Sequence, residues 1–203
     1  MVKNPKEEYV KYLRDKMLQE RNPPLKSCTD SNVFLYYIPP KECENNKNLE
    51  AQNYTNNLSL CVLIRDGNEQ ILFPGDLMKD GMEFIIKHNS SLRNKLKDGI
   101  SILIAPHHGL KSSFSTYLFQ HIKNEKTYRL NIVSEKITTP DSNRVVDTRY
   151  SSTDFCQGKN NFSTTDNPVY QRKTSNGHII IDTSVFPVTF KSEKDINVIL
   201  KSF

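Results

Sequence analysis

Short apolar runs, several of them closed by Pro, Gly or Asp, divide the chain into candidate strands. These runs are rich in β-branched and aromatic side chains, which pack well on a pleated sheet. They occupy residues 33–38, 58–64, 71–73, 100–105, 128–133 and 178–182. Asp66-Gly67 lies between the second and third runs and is typical of a tight turn, so we expect these two strands to form a β-hairpin.

Apolar residues at three- and four-residue spacing predict helices before and between the strands. Pro5 suits the first turn of a helix over residues 5–20, which has one apolar stripe. Asp80-x-x-Glu83 opens a second helix, and residues 115–122 form a short amphipathic one. Because strands and helices alternate along the chain, the pattern predicts an α/β fold.

Two polar stretches interrupt this pattern and are predicted to be loops. Residues 41–57 are rich in Asn, and residues 135–176 hold few apolar side chains among many Ser, Thr, Asn and Asp. An ordered loop as long as the second one is unusual and often has a function. Towards the C-terminus we expect one or two edge strands, near residues 188–190 and 198–200.

The composition limits the class of protein. With 203 residues, 36% of them hydrophobic and 25% charged, the chain suits one globular domain over residues 1–203 and not a disordered segment. The net charge of +5 would suit a phosphate-rich partner such as a nucleic acid, although no nucleic-acid-binding motif accompanies it. No apolar stretch approaches about 18 residues and the N-terminus is charged throughout, so we expect neither a membrane span nor a signal peptide.

The cysteines favour a reducing compartment. Cys28, Cys43, Cys61 and Cys156 form no C-x-x-C pair and are irregularly spaced. Cys61 lies within an apolar run and is expected to be a buried thiol. We therefore expect all four thiols to be reduced and the chain to be cytoplasmic.

Two short segments place metal-binding side chain types at the ends of predicted strands. Residues 71–76 read Ile-Leu-Phe-Pro-Gly-Asp, and residues 102–109 read Ile-Leu-Ile-Ala-Pro-His-His-Gly. The carboxylate of Asp76 and the imidazoles of His107 and His108 suit Zn²⁺ or Mn²⁺. Each segment alone is usually structural, as a turn or an exposed His pair. Their shared position after apolar strands favours a metal site in the complete protein.

Five segments, taken in chain order, resemble the second half of the metallo-β-lactamase domain: residues 57–64, 71–76, 105–109, 132–134 and 174–179. The subgroup that they resemble most occurs in DNA-uptake competence proteins and related stand-alone hydrolases. The resemblance covers roughly residues 30–182. It implies an αββα sandwich, of which this chain would form only the C-terminal αβ half.

The resemblance also implies roles for the residues at the strand ends. In that family the Gly-Asp carboxylate bridges two metal ions, and a His of the His-His-Gly segment completes the shell of the second ion. Asp76 would be the bridging ligand, with His107 the first choice and His108 the second for the imidazole. Asp76 and His107 are then the expected catalytic residues of a metal-dependent hydrolase, acting on a phosphodiester or nucleic acid through a metal-activated water.

The family's first half has a His-x-His-x-Asp-His segment and a further His, and this chain has neither. Its five histidines are His88, His107, His108, His121 and His178. A two-metal Zn²⁺ or Mn²⁺ site is therefore expected only if a missing N-terminal half, or a second polypeptide, supplies the remaining ligands. The alternative is a metal-free binding or regulatory module in a larger assembly.

Polar side chains near the predicted pocket are candidates for substrate binding. Four basic residues could bind phosphate oxygens or simply form a solvated surface: Arg144, Arg149, Arg172 and Lys173. Ser112 and Ser113 could contact the substrate or cap a helix, and capping is the more common role. His178 opens a strand and is expected to be structural.

Overall fold

The computed structural model describes residues 32–50, 54–122, 128–135, 146–150, 170–183 and 189–193. Within these ranges the strands are β1 (Val33–Tyr36), β2 (Cys61–Asp66), β3 (Glu69–Phe73), β4 (Ile102–Ile104), β5 (Leu130–Val133), β6 (Tyr170–Lys173), β7 (His178–Asp182) and β8 (Thr189–Glu193). The helices are α1 (Pro40–Glu44), α2 (Lys47–Glu50), α3 (Tyr54–Asn57), α4 (Lys79–His88), α5 (Ser90–Asp98) and α6 (Thr116–His121). Short 3₁₀ turns occur at Pro106–Gly109, Lys111–Ser113, Thr148–Tyr150 and Thr174–Asn176.

Strands β1 to β6 form one mixed sheet in which the spatial order follows the chain order. β1, β2 and β3 are antiparallel neighbours, whereas β3, β4, β5 and β6 run parallel to one another. The β2–β3 hairpin pairs Asp66 with Glu69 and turns at Gly67, where φ is +56°, as the Asp-Gly signal predicts. β7 and β8 pair separately as an antiparallel hairpin. The α/β class is confirmed.

The central strands have apolar side chains on both faces. Leu103 of β4 is fully buried in the main core together with Met82 and Ile86 of α4. Its neighbour Ile102 points to the opposite face, where a smaller cluster includes the half-buried Ile181 of β7. Because both faces of β4 are covered, its sequence reads as a continuous apolar run and not as an alternation.

The expectation of a loop over residues 41–57 is wrong, because three short helices lie there. Pro40 occupies the first turn of α1, a position where the missing N–H costs nothing. Each helix is only four or five residues long, so it cannot show a helical repeat. The buried side chains of Cys43 and Leu49, which are 0% and 1% exposed, nevertheless join these turns to the main core.

The expectation of a single loop over residues 135–176 is also wrong. β6, residues Tyr170–Lys173, lies within it and pairs in parallel with β5, with Val133 opposite Lys173. This strand closes the described part of the sheet and has the sequence Tyr-Gln-Arg-Lys. An edge strand with polar side chains gives no apolar pattern from which it could be predicted.

The other predicted helices and the predicted C-terminal strands are confirmed only in part. The helix beginning near residue 80 and the helix over 115–122 are confirmed as α4 and α6, whereas α5 was not predicted. The expected edge strand near residues 188–190 is confirmed as β8. The predicted helix over 5–20 and the strand over 198–200 lie outside the described residues.

Cys43 and Cys61 are both buried, as expected for Cys61. Burial raises the pKa of the Cys61 thiol to about 12. Cys28 and Cys156 lie outside the described residues. In the parts of the chain that the structure describes, none of the helices is long and apolar enough to cross a membrane.

Candidate functional site

Four chain segments leave the parallel strands β3 to β6 at the same edge of the sheet. Asp76 follows β3, the His107-His108 pair follows β4, Ser134 and Glu135 follow β5, and Thr174 follows β6. The carboxyl ends of parallel strands are the usual place for a site in α/β folds, because the loops there converge on one crevice. The predicted metal ligands therefore lie at the expected edge.

The exits of β3 and β4 are joined through the backbone. The N–H of His107 donates to the carbonyl oxygen of Gly75 at 3.0 Å. The N–H of Asp76 donates to the hydroxyl of Ser59, also at 3.0 Å, and the Asp76 side chain is exposed to solvent. Gly75 has φ +63°, and a Cβ there would lie 3.0 Å from the Cβ of Ser59. The backbone of Asp76 therefore lies beside that of His107.

The His-His turn, residues 106–109, has an uncommon backbone. His107 and His108 have φ of +44° and +60°, in the left-handed region that residues other than glycine rarely adopt. Each such residue costs roughly 1–2 kcal/mol, so the surrounding structure must hold it in place. The buried hydroxyl of Ser113 lies 2.8 Å from the carbonyl oxygens of Pro106 and Leu110 and provides part of that support.

The ring of His108 is fixed on one side. Its Nδ1 lies 2.9 Å from the carbonyl oxygen of Ser134. Since a carbonyl can only accept, a neutral His108 bonded in this way has its proton on Nδ1 and a free lone pair on Nε2. The His107 ring lies beside it, with 5.9 Å between the ring centroids. His108 is exposed, and in this tautomer its Nε2 carries no proton.

A short strap, residues 146–150, packs over the His-His turn. The N–H of Asp147 donates to the carbonyl oxygen of Gly109 at 2.8 Å, and Val146 forms an isolated bridge with Leu110. The side chain amide of Asn131 in β5 donates to the carbonyl oxygen of Tyr150 at 3.0 Å, which anchors the other end of the strap. The strap thus connects the turn to the sheet.

An ion pair between the buried carboxylate of Asp147 and the half-exposed Arg149 stabilises the strap. The Asp147 carboxylate, whose side chain is 6% exposed, accepts hydrogen bonds from Nε and Nη2 of Arg149 at 2.9 and 2.6 Å. The guanidinium of Arg149 also lies over the ring of Phe114, with 3.8 Å from Cζ to the ring centroid. Burial alone would raise the pKa of Asp147, but the hydrogen bonds and charge of Arg149 outweigh it, so that the pKa is lowered.

Asp147→Asn is expected to lower the free energy of unfolding at pH 7 by about 1–2 kcal/mol. This is somewhat less than the usual contribution of about 1.5–3 kcal/mol from a hydrogen bond to a charged group, because Arg149 is 40% exposed to solvent. The folded-state pKa of Asp147 is lowered, so its contribution is complete above an ordinary pKa of about 3.9. It is lost as the pH falls through the folded-state value, and the variant should show a smaller loss of stability below about pH 4. Denaturant unfolding at pH 7 and pH 3 would measure both effects.

Asp98→Asn is a matched control for that measurement. Asp98 pairs with Arg65 at 3.6 Å, but the two side chains are 60% and 38% exposed. Exposed ion pairs contribute little, so this variant should unfold like the wild type. Equal stability changes in the two variants would contradict a larger contribution to stability from the pair of Asp147 and Arg149.

The predicted substrate-binding residues have different environments. Lys173, at the end of β6, forms an ion pair with Glu135 at 3.0 Å, and Nη1 of Arg172 donates to the carbonyl oxygen of Gln171.

Ser112 is exposed, whereas Ser113 is 0% exposed and supports the His-His turn. These substrate contacts stay predictions, and the burial of Ser113 favours a structural role. Neither serine caps α6, because Ser115 accepts from the N–H of Leu118 instead. Arg144 lies outside the described residues.

The sequence did not point to several residues around the site. Ser59 lies in the resembling segment 57–64 without an expected role, and Glu135 and Asp147 lie outside every such segment. Each acts through a partner that is distant in the chain or through the backbone. Glu135 accepts from Ser175 and Lys173, which lower the pKa of its carboxyl group. The polar character of residues 135–176, the resemblance of residues 174–179 and the basic side chains of Arg172 and Lys173 indicated that this part of the chain was of interest. His178 opens β7, as expected for a structural residue.

Comparison with protein-family models, with curated proteins and with solved structures found no match to this chain. Among the residues that the structure describes, no three His, Cys, Asp or Glu side chains form a group that could hold a metal ion. Asp76, His107 and His108 are therefore brought to one edge of the sheet without forming a metal-binding triad by themselves.

Proposed function

We propose that this chain contributes part of the active site of a metal-dependent hydrolase of the metallo-β-lactamase superfamily, acting on a phosphodiester or nucleic acid. One observation is the main support. The hydrogen bond from the N–H of His107 to the carbonyl of Gly75 joins the exits of two parallel strands, one followed by a carboxylate and the other by two imidazoles. Carboxylates and imidazoles are the donors that Zn²⁺ and Mn²⁺ accept.

The proposal includes a finer description of the fold. The mixed sheet with helices in its main core would be the C-terminal αβ half of an αββα sandwich. The support is the order of the β2–β3 hairpin, α4 and β4, together with the resemblance of the five sequence segments. A missing N-terminal half or a second polypeptide would supply the other half and its ligands.

The fixed ring of His108 supports this residue as the imidazole ligand, whereas the resemblance puts His107 first. Imidazoles that bind a metal usually donate their other ring N–H to a carbonyl or carboxylate, which fixes the ring and the tautomer. The Nδ1 of His108 has such a partner in the carbonyl of Ser134 at 2.9 Å. We therefore propose Nε2 of His108 as the ligand atom.

The donor set fits part of a metal shell. Asp76 offers an exposed carboxylate and His108 an exposed, oriented ring nitrogen, and both types suit Zn²⁺ or Mn²⁺. When bound, the metal would make a coordinated water nucleophilic at neutral pH. The carboxylate of Asp76 would orient that water, and the bond to Ser134 would keep the ring of His108 in place. The remaining ligands would come from beyond the described residues.

Zn²⁺ binding to the full chain is the direct test, measured by titration calorimetry. We expect binding to the wild type and an affinity at least about tenfold lower in His108→Gln, a loss of about 1.4 kcal/mol. His121→Gln is the matched control, because Nδ1 of His121 also bonds a carbonyl, that of Tyr117 at 2.8 Å, but at the end of α6. This control should bind Zn²⁺ like the wild type.

Two results would contradict the proposal. If the three proteins bound Zn²⁺ equally, the ion would lie elsewhere and His108 would not be a ligand. If the wild type bound no Zn²⁺ and no Mn²⁺, the metal-free binding or regulatory module would be the better description of the chain.

A further inference from the structure

The peptide group between Ser134 and Glu135 is held from both sides. Its carbonyl oxygen accepts from Nδ1 of His108 at 2.9 Å, and its N–H donates to the hydroxyl of Thr174 at 2.9 Å. A trans peptide is planar, with its C=O and N–H pointing in opposite directions. Fixing the N–H on one side therefore aims the carbonyl towards His108 on the other.

The hydroxyl of Thr174 accepts a hydrogen bond that the backbone of a paired strand would otherwise accept. The parallel ladder between β5 and β6 ends at the pair Val133 and Lys173, so the next pair would be Ser134 and Thr174. There the chain leaves β6 and enters the 3₁₀ turn Thr174–Asn176, and its backbone is no longer in line with β5. The side chain of Thr174 satisfies the N–H of Glu135 instead.

The carboxylate of Glu135 provides a second link between the ends of β5 and β6. It accepts hydrogen bonds from Nζ of Lys173 at 3.0 Å and from the hydroxyl of Ser175 at 2.6 Å, the residues on either side of Thr174. The hydroxyl of Thr174 also lies 3.2 Å from the carbonyl oxygen of Glu135. Three consecutive side chains thus hold Glu135, which leaves the peptide before it little freedom to rotate.

We infer that Thr174 is a positioning residue that acts through the Ser134–Glu135 peptide to hold His108 in the Nδ1–H tautomer, with Nε2 directed outwards. The inference extends the proposed function, since only an Nε2 without a proton can bind a metal ion. It also assigns a role to the polar segment that follows β6, away from the Asp76 side of the site. Glu135, Lys173 and Ser175 keep Thr174 in register.

The tautomer of His108 can be read directly in the metal-free full chain from the ¹⁵N shifts of its imidazole. At a pH of about 8.5, well above the ordinary pKa of an imidazole, the two nitrogens give separate pyrrole-like and pyridine-like signals. Signals are assigned to His108 by their loss in His108→Gln. The wild type should show Nδ1 as the protonated nitrogen.

Thr174→Val removes the hydroxyl but keeps the branched shape, and Thr174→Ser keeps the hydroxyl. We expect a mixture of both tautomers in Thr174→Val and the wild-type tautomer in Thr174→Ser. Wild-type signals in Thr174→Val would overturn the inference, and so would a mixture in Thr174→Ser. Amide spectra of each variant confirm that the fold is retained, which is expected because Thr174 is exposed.

A Zn²⁺ titration of the same variants separates this inference from the proposed function. Loss of the partner of a metal-binding imidazole usually weakens binding about 10- to 100-fold. Thr174 acts on that partner, the Ser134 carbonyl, from one step further away, so we expect a decrease at the lower end, about tenfold, for Thr174→Val. A changed tautomer in a chain that never binds Zn²⁺ would leave the positioning role intact and contradict the metal site. An unchanged tautomer in Thr174→Val, together with normal Zn²⁺ binding, would contradict the positioning role and leave the metal site intact.

Discussion

Asp76→Asn is expected to abolish hydrolysis of bis(4-nitrophenyl) phosphate in the presence of Zn²⁺ or Mn²⁺ when the chain is combined with the half or second polypeptide that supplies the remaining ligands. Asparagine keeps the size of the side chain and the backbone N–H that donates to Ser59, but it removes the negative charge. Metal-assisted stabilisation of the reacting group is worth several kcal/mol, so kcat should fall by about three orders of magnitude. Initial rates at saturating substrate would measure the loss.

The control for this experiment is Asp80→Asn. Asp80 lies in the first turn of α4, close to Asp76 in the chain, and its side chain is exposed. It should retain wild-type turnover. Turnover that survives Asp76→Asn would remove Asp76 from the reaction, and a completed wild-type protein without any turnover would favour the binding module over the hydrolase.

Gly81→Ala is expected to lower the free energy of unfolding by about 3 kcal/mol, although alanine normally favours a helix over glycine by about 1 kcal/mol. A Cβ at this position in α4 would lie 2.2 Å from Oδ1 of Asn57 and 2.9 Å from its Cγ. Asn57 is fully buried and cannot move easily, because its Oδ1 accepts from the N–H of Met78 and its Nδ2 donates to the carbonyl of Leu49. Denaturant unfolding of the wild type and the variant would measure the change.

A double-mutant cycle with Asn57→Ala separates the clash from other causes. With the amide of Asn57 removed, the methyl group added at position 81 has space, so Gly81→Ala should become neutral or stabilising in that background. An equal destabilisation in both backgrounds would mean that the contact with Asn57 is not responsible.

The apolar pattern predicted strands β1 to β5 of the sheet, but not its edge strand β6 or the three short helices α1 to α3. The β2–β3 hairpin and β4 have long apolar runs or an Asp-Gly turn, and both signals are local in the sequence. α1 to α3 and β6 have neither, because their short segments contribute single buried side chains or polar edge positions. Their formation depends on packing against parts of the chain that are distant in the sequence.

The candidate site could likewise be predicted only in part from the sequence. The types and order of Asp76, His107 and His108 were readable because glycine and proline mark the strand exits. Their supports were not readable, because the Ser134 carbonyl is a backbone group and Thr174 meets the N–H of Glu135 across 39 residues. A contact of that kind follows from the register of β5 against β6, and that strand pair was not predicted.

The left-handed conformation of His107 and His108 has a consequence for which residues these two positions can accept. Glycine adopts that conformation without penalty and asparagine with a small one, so either would ease folding while discarding an imidazole. A bulky or β-branched replacement would add strain and supply no ring nitrogen. The backbone conformation and the proposed metal site therefore favour different amino acids at these two positions, and the surrounding structure, Ser113 included, has to offset the backbone cost of the histidines.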